Sequence, residues 1–447
     1  MSMFNVTEYG AKADKKTIST RAFQAAVDAC EKNGGGTVYV PFGEYCIGTI
    51  FLCDNAHFVF EGGAKIYGSE NLDDFAPREK PPYPLYQDAS HSFFDRSMFV
   101  AKNKKNVTFS GFGTIDMQEV WESEAIEGEG EWNNKRAIKI FSFKECEDVT
   151  LKDLTLLNST DLAVYFAGCE RVKVRGMTLN VNIDGISPDG CKNVVISDCI
   201  IRSGDDGIVL KSSYTLNKIK DCENVVITNC TVTSRCSAIK LGTESNGGFK
   251  NISISNCAVY DTFYGAVSIE STDGGNIEGI TVSDVVMKNV GYPFFIILSE
   301  RLRAPEGTTI GSLKNVIISN VTAIGGYTPW VAPRITALWK EKETIWSSQV
   351  MPSTITGQPH KKVENITLSD VYITTVGGEG TENREVKLPE ISKAYPENYQ
   401  FGEKFSTYGL YIRHAKNVTL RNVNIETEKP DGREAFVFED VENLKRY

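Results

Sequence analysis

Two short acidic motifs stand out for the chemistry they could do: NIDGISPDG, which carries Asp184, and SGDDGIVLKS, which carries Asp205 and Asp206. Carboxylates held together repel one another, and the repulsion raises at least one pKa, as a general acid at neutral pH requires. Two plainer uses compete with catalysis. Asp-Gly and Asp-Asp-Gly are turn sequences, and clustered Asp can hold a hard cation such as calcium. The choice depends on whether the elements that carry these acids bring them to one place.

Those elements come from an imperfect repeat, Asn-apolar-x-apolar-Ser-Asn/Asp-Cys/Val-x-apolar. It reads NVVISDCII from Asn193, NVVITNCTV from Asn224, NISISNCAV from Asn251, GITVSDVVM from Gly279, NVIISNVTA from Asn315, NITLSDVYI from Asn365 and NVTLRNVNI from Asn417, with weaker copies from Asn106, Asp148 and Arg171. Alternating Val/Ile with Ser/Thr makes a half-buried strand, and Asn or Asp before a small apolar residue makes a turn. Each unit is therefore a strand, a corner and a second strand. Central copies begin 22 to 31 residues apart, the length of one coil of a parallel β-helix with loops of varying size. A propeller blade needs about 40 residues or more, and a helical repeat needs apolar spacings of three and four. Asp184 follows Arg171 by the same 13 positions by which Asp206 follows Asn193. Equal offsets in successive coils stack, which predicts Asp184 and Asp206 as neighbours about 4.8 Å apart with Asp205 beside them.

The rest of the chain reads as one solenoid domain over residues 1–447. A helix is predicted from Thr17 to Asn33, with Ala22, Phe23, Ala26, Val27 and Cys30 on one face, Ser19 as N-cap and a Gly run as its stop. It suits the cap over an open solenoid end. Long insertions are expected around 322–362 and 376–409, rich in Gly, Pro, Trp and Tyr, and such loops often wall a binding site. Tyr327, Trp330, Trp339 and Trp346 in the first could stack on sugars or pack the loop down.

Composition narrows the partners. With 48 Lys plus Arg against 58 Asp plus Glu and a formal charge of −10, a general nucleic-acid binder is not expected. An anionic ligand must be held by a local cluster of cations. Eleven Cys, odd in number and recurring at one place in the repeat, read as small buried residues rather than a disulfide framework. No CxxC pair or His cluster offers a zinc site, so no metal and no cofactor are expected. No apolar stretch approaches a membrane span. If Met1 is the native start, a leader has no room before the strand-like sequence at Phe4 and a cytoplasmic protein is expected; otherwise it is secreted or periplasmic.

The run from Asn182-Ile183-Asp184 to Gly204-Asp205-Asp206-Gly207 resembles the Asn-x-Asp and Gly-Asp-Asp motifs of glycoside hydrolase family 28, the polygalacturonase family. FNVTEYGAKADKKT, VYVPFGEY, GTIDM and YGLYIRHAKNVTL are similar to its exo-acting bacterial branch. The resemblance implies an all-β, right-handed parallel β-helix, a pectin-lyase-like solenoid, and hydrolysis with inversion. An inverting enzyme places a protonated acid at the leaving oxygen and a base behind a water, roughly 6.5–9.5 Å apart. By resemblance Asp205 is the acid, Asp184 and Asp206 hold and deprotonate the water, and Asn182 orients a carboxylate or the sugar.

The sequence departs from the family where it binds the substrate carboxylate. The family's Gly-His-Gly aligns with a segment that has Ser237, and its Arg-Ile-Lys with one that has Ser268 and Glu270. Lys240, opposite Ser268, and Lys211, one coil below Gly242, are candidate replacement cations. The plainer use of each is a solvated face. Glu244 is expected in a loop, Glu244 to Gly248, that resembles the exo-acting branch. Arg301 and Arg303 could meet a carboxylate bidentately or lie on the surface. Arg413 and His414 are expected to be structural. The reading taken is an inverting exo-hydrolase releasing terminal galacturonate from pectic oligosaccharides. A neutral or modified pectic sugar, a non-catalytic glycan-binding β-helix and a metal-dependent lyase are its competitors.

Overall fold

A computed structural model describes residues 2–121, 137–325 and 350–447. Two compact units are present, one of Met1–Ser203 with Ser213–Lys220 and one of Gly204–Ser212 with Asp221–Tyr447. Each is a stack of parallel β coils. In the first, Phe58, Phe109, Leu151, Val174 and Ile196 occupy one register column, and all are buried. The Phe58 and Phe109 rings stack at 4.5 Å. In the second, Ile227, Ile254, Val282, Ile318, Leu368 and Leu420 form the equivalent column. Side chains alternate across a strand, so the apolar positions of every repeat copy fall inside and stack on their own kind.

The corners explain why Asn opens each copy. Asn193, Asn224, Asn251, Asn315, Asn365 and Asn417 all have φ between +54° and +59°, the left-handed region that Asn tolerates better than other side chains. Gly279 replaces Asn in one copy and has φ +73°, so it meets the same backbone need without a side chain. The Asn amides also bond from coil to coil: Asn365 Nδ2 donates to Asn315 Oδ1 at 2.8 Å, and Asn417 Nδ2 to Asn365 Oδ1 at 2.9 Å.

The helix runs from Thr20 to Lys32, and its buried face is Ala22, Phe23, Ala26, Val27 and Cys30, as the periodicity predicts. Ser19 stands at its N-cap but makes no side-chain cap bond; its hydroxyl accepts from Lys12 N at 3.1 Å instead. Phe23 packs edge-on against Tyr45 with ring centroids 5.6 Å apart. All eleven Cys are free, and all but Cys236 are buried.

The insertions differ from expectation in extent. Strand Ser312–Ile324 runs into the start of the expected 322–362 loop, and strand Ser353–Thr356 lies within it. The latter is a coil strand, pairing on one side with Phe295–Ile297 and on the other with Leu410–Arg413. Tyr327, Trp330, Trp339 and Trp346 lie outside the described residues. The 376–409 insertion joins strand Val363–Gly377 to strand Thr407–Lys429 and holds two 3-10 turns, Thr381–Asn383 and Asn398–Phe401. Arg413 fixes it, donating from Nη1 to Leu388 O and from Nη2 to Pro389 O, both at 2.9 Å. His414 bridges Glu390 and Asp440 at 3.0 and 2.8 Å. A further long connection, between strand Ala64–Gly68 and strand Ser97–Lys102, carries no repeat signal and was not expected.

Candidate active site

Asp184 lies in the first unit, between strand Thr178–Val181 and strand Ile186–Asp189. It is buried, its carbonyl accepts from Ala163 N at 2.9 Å, and Ser187 Oγ stands 3.5 Å from Oδ2. Asn182 Nδ2 is buried with no hydrogen-bond partner among the described residues. Asp189, the other acid of the motif, is held by Ser213 N at 2.8 Å, Ser213 Oγ at 2.5 Å and Tyr165 OH at 3.0 Å. A carboxylate with three donors braces the fold and is not available for proton transfer.

Asp205 and Asp206 lie in the second unit at the entry to strand Ile208–Ser212. Their carboxylates approach within 4.8 Å. Asp205 is half-buried and Asp206 is buried. Ser237 N donates to Asp206 Oδ1 at 3.0 Å, and Lys240 Nζ lies 3.6 Å from Oδ2. Burial raises the Asp206 pKa, and the charge of Asp205 adds to the rise, while Lys240, Lys211 and the Ser237 amide oppose it. The pair is therefore asymmetric: Asp205 is the more exposed residue, and Asp206 is fixed and tuned from within.

Lys240 pairs with Ser268 in the parallel register of strands Ile239–Ser245 and Phe249–Ser271, as the alignment predicts. Its ammonium is no solvated group. Besides Asp206 it faces Glu270 Oε1 at 3.6 Å and Glu397 Oε1 at 3.1 Å, and all four side chains are almost wholly buried. Three carboxylates cannot all ionise around one ammonium in a low-dielectric pocket. Glu270 gives way first: it is fully buried, neither oxygen has a hydrogen-bond partner among the described residues, and burial pushes its pKa well above the carboxylate range. Glu397 is also raised by burial, against the pull of Lys240.

The other candidates go elsewhere. Ser237 and Ser268, where the family has basic residues, face each other at 3.2 Å through their hydroxyls. Glu244 lies inside strand Ile239–Ser245 rather than in a loop, and it accepts from Lys211 Nζ at 3.1 Å. Arg301 meets a carboxylate bidentately, but that carboxylate is the chain's own Asp273. The Arg303 amide donates to the same Asp273 at 3.0 Å. Both guanidinium groups lie over the Tyr395 ring, at 5.3 and 5.7 Å. Arg301 Nη1 is buried with no partner among the described residues.

Sequence reasoning missed Glu397, Asp273, Tyr292 and Tyr395. Glu397 and Tyr395 sit in the aperiodic stretch AYPENYQF, where no repeat offset assigns a position. The Asp273 signal was present in STDGG, directly after the segment aligned with the family's basic pair.

A family model described as glycosyl hydrolases family 28 matches residues 30–328. The chain belongs to glycosyl hydrolase family 28. Among family relatives, a probable polygalacturonase of Vitis vinifera is 28% identical over 308 residues, which span 65% of this chain and 62% of that protein. An exo-poly-alpha-D-galacturonosidase of Dickeya chrysanthemi is 21% identical over 443 residues, covering 83% of this chain and 71% of the relative. The family 28 exopolygalacturonase of Yersinia enterocolitica superposes with a TM-score of 0.72 at 17% identity, covering 99% of this chain and 78% of that one. At that identity the likeness carries the fold, a right-handed parallel β-helix.

Proposed function

We propose that this family 28 chain is an inverting glycoside hydrolase that removes terminal galacturonate from pectin-derived oligosaccharides. The observation that carries hydrolysis is the unequal pair of Asp205 and Asp206, side by side with different burial; at 4.8 Å or less they stand closer than the usual inverting separation of roughly 6.5–9.5 Å, so inversion rests on family membership. Asp205 serves as the acid at the leaving oxygen, and Asp206 helps hold and deprotonate the attacking water. For Asp184, the support is the repeat. Asp184 and Asp206 occupy the same offset, 13 positions, from the start of successive copies at Arg171 and Asn193. The repeat, with copies from Asn106 to Asn417, supports reading residues 1–447 as one solenoid domain. Asn182, with its unpartnered amide nitrogen, is assigned to orient substrate or a neighbouring carboxylate.

The substrate carboxylate is assigned to Arg301 Nη1 and Arg303: Lys240 and Lys211 face protein carboxylates, and Arg301, though forked to Asp273, keeps Nη1 without a partner among the described residues. Exo action rests on the 376–409 insertion, which delivers Tyr395 and Glu397 to the side chains around Arg301 and Lys240, and on relatives named for exo-cleavage. Product analysis by NMR on a panel of pectic oligosaccharides tests all of this at once. Release of single galacturonate units with inverted anomeric configuration is expected. Retention, unsaturated products, equal rates on carboxyl-reduced substrates, or binding without turnover each overturn a stated part.

A further inference from the structure

Glu397 lies 157 positions from Lys240 and reaches it from an insertion outside the repeat. Its neighbours are tied to the coil. The adjacent Asn398 accepts from Thr354 Oγ1 at 3.0 Å and donates to Pro352 O at 3.0 Å. Tyr399 stacks on Tyr264 at 5.8 Å. Tyr292 OH lies 3.3 Å from the second Glu397 oxygen. An insertion that only covered the coil would present apolar side chains, as Leu388, Ile391 and Phe401 of the same segment do. A carboxylate driven into a buried pocket against an ammonium is costly unless it does something there.

We propose that Glu397 is a positioning residue for Asp206: it holds the Lys240 ammonium in place among the carboxylates and sets how much of that positive charge Asp206 feels. The inference rests on the reading of Asp206 as a reacting carboxylate. Lys240 divides its charge among Asp206, Glu270 and Glu397, at 3.6, 3.6 and 3.1 Å. Glu397 is the nearest and draws the ammonium toward itself. The groups facing Asp206 are Asp205 and Lys211 from its own segment, Ser237 N, Cys236 and Lys240 from the next, Glu270 from the one after, Glu397 from the insertion and, on the reading above, Asp184. Removing one negative charge from this set lowers the pKa of Asp206, and removing Lys240 raises it.

The test is kcat/KM against pH on an oligogalacturonide for wild type, Glu397→Gln, Glu397→Asp and Lys240→Met. A base must be ionised to act, so the acidic limb reports Asp206 in the free enzyme. Glu397→Gln is expected to move that limb down by about one pH unit and Lys240→Met to move it up by a similar amount. Glu397→Asp, which keeps the charge, is expected to restore the limb. Plateau kcat for Glu397→Gln falls roughly tenfold with little change in KM. A purely structural Glu397 would lower activity at every pH and leave the limb in place, which overturns the proposal, as does movement of both limbs in one direction. If Glu397→Gln does not fold, Tyr292→Phe removes the hydroxyl beside Glu397 Oε2; it should shift the limb down by less, and an unmoved limb overturns the proposal. Asp206→Asn is assayed alongside. Its loss of turnover keeps the reading of the site, so that an unmoved limb counts against Glu397 alone. Wild-type turnover in Asp206→Asn overturns the catalytic reading itself.

Discussion

Arg301 and Asp273 form a two-point ion pair, Nε to Oδ1 at 3.0 Å and Nη2 to Oδ2 at 2.5 Å, with both side chains almost wholly buried. The Thr243 carbonyl accepts a further bond from Nη2 at 3.1 Å. The fork leaves Nη1 as the one guanidinium nitrogen without a partner among the described residues. Asp273 therefore orients the cation to which the substrate carboxylate is assigned.

Removing one half of such a pair strands the other. Asp273→Ala should destabilise the protein by about 3 kcal/mol or more, since a buried charge without its counter-ion is far costlier than the pair. Chemical denaturation at neutral pH measures this. Arg301→Lys keeps the charge but loses the fork, and it should raise KM for galacturonate oligosaccharides more than it lowers kcat. A Lys variant with unchanged KM would remove Arg301 from substrate recognition.

Glu270 makes a prediction of opposite sign. Its folded-state pKa is raised by burial, so the folded protein binds a proton that the unfolded chain releases above the ordinary carboxylate range. Stability then falls as pH rises through that range toward the folded pKa. Glu270→Gln mimics the protonated side chain, and neither oxygen has a hydrogen-bond partner to lose among the described residues. The variant should be more stable than wild type by up to about 3 kcal/mol at pH 7, with the gain vanishing near pH 4. Paired denaturation curves at the two pH values decide it; equal stability at both would mean that Glu270 is ionised in the fold.

What could be read from the sequence follows the repeat. The column positions of Ile254, Val282, Ile318 and Leu368 and the pairing of Lys240 with Ser268 come from counting along coils of known length. The helix face came from a different period and was equally plain. Glu397 was not legible, because an aperiodic insertion has no register and its destination is set by packing. Arg301 illustrates a different limit. Its residue type was right for bidentate binding, but the sequence could not say that Asp273 from the preceding coil would occupy the fork.

The Asn ladder offers a prediction about the fold alone. Asn365 combines φ +57° with an amide that donates to Asn315 and accepts from Asn417. Asn365→Ala loses both bonds and retains a strained backbone, for a cost of about 1–3 kcal/mol. Asn365→Gly relieves the backbone while still losing the bonds, so it should recover part of the loss. Urea midpoints for the three proteins separate the two contributions; equal midpoints for Ala and Gly would assign the whole effect to the amide bonds.

Asp205 and Asp206 are separated by leaving-group chemistry rather than by loss of activity. Asp205→Asn and Asp206→Asn should each lower turnover on natural oligosaccharides by about a hundredfold or more, because proton donation and water activation occur in the same displacement. An aryl galacturonide whose phenolate departs without a proton needs only the second function. On that substrate Asp205→Asn should recover most of the wild-type rate, and Asp206→Asn should remain impaired. The different environments give the reason: Asp206 is fixed by the Ser237 amide and Lys240, while Asp205 is the more exposed of the two and can reach a leaving oxygen. Recovery by Asp206→Asn instead would exchange the two roles, and recovery by neither would show that both carboxylates act on the water.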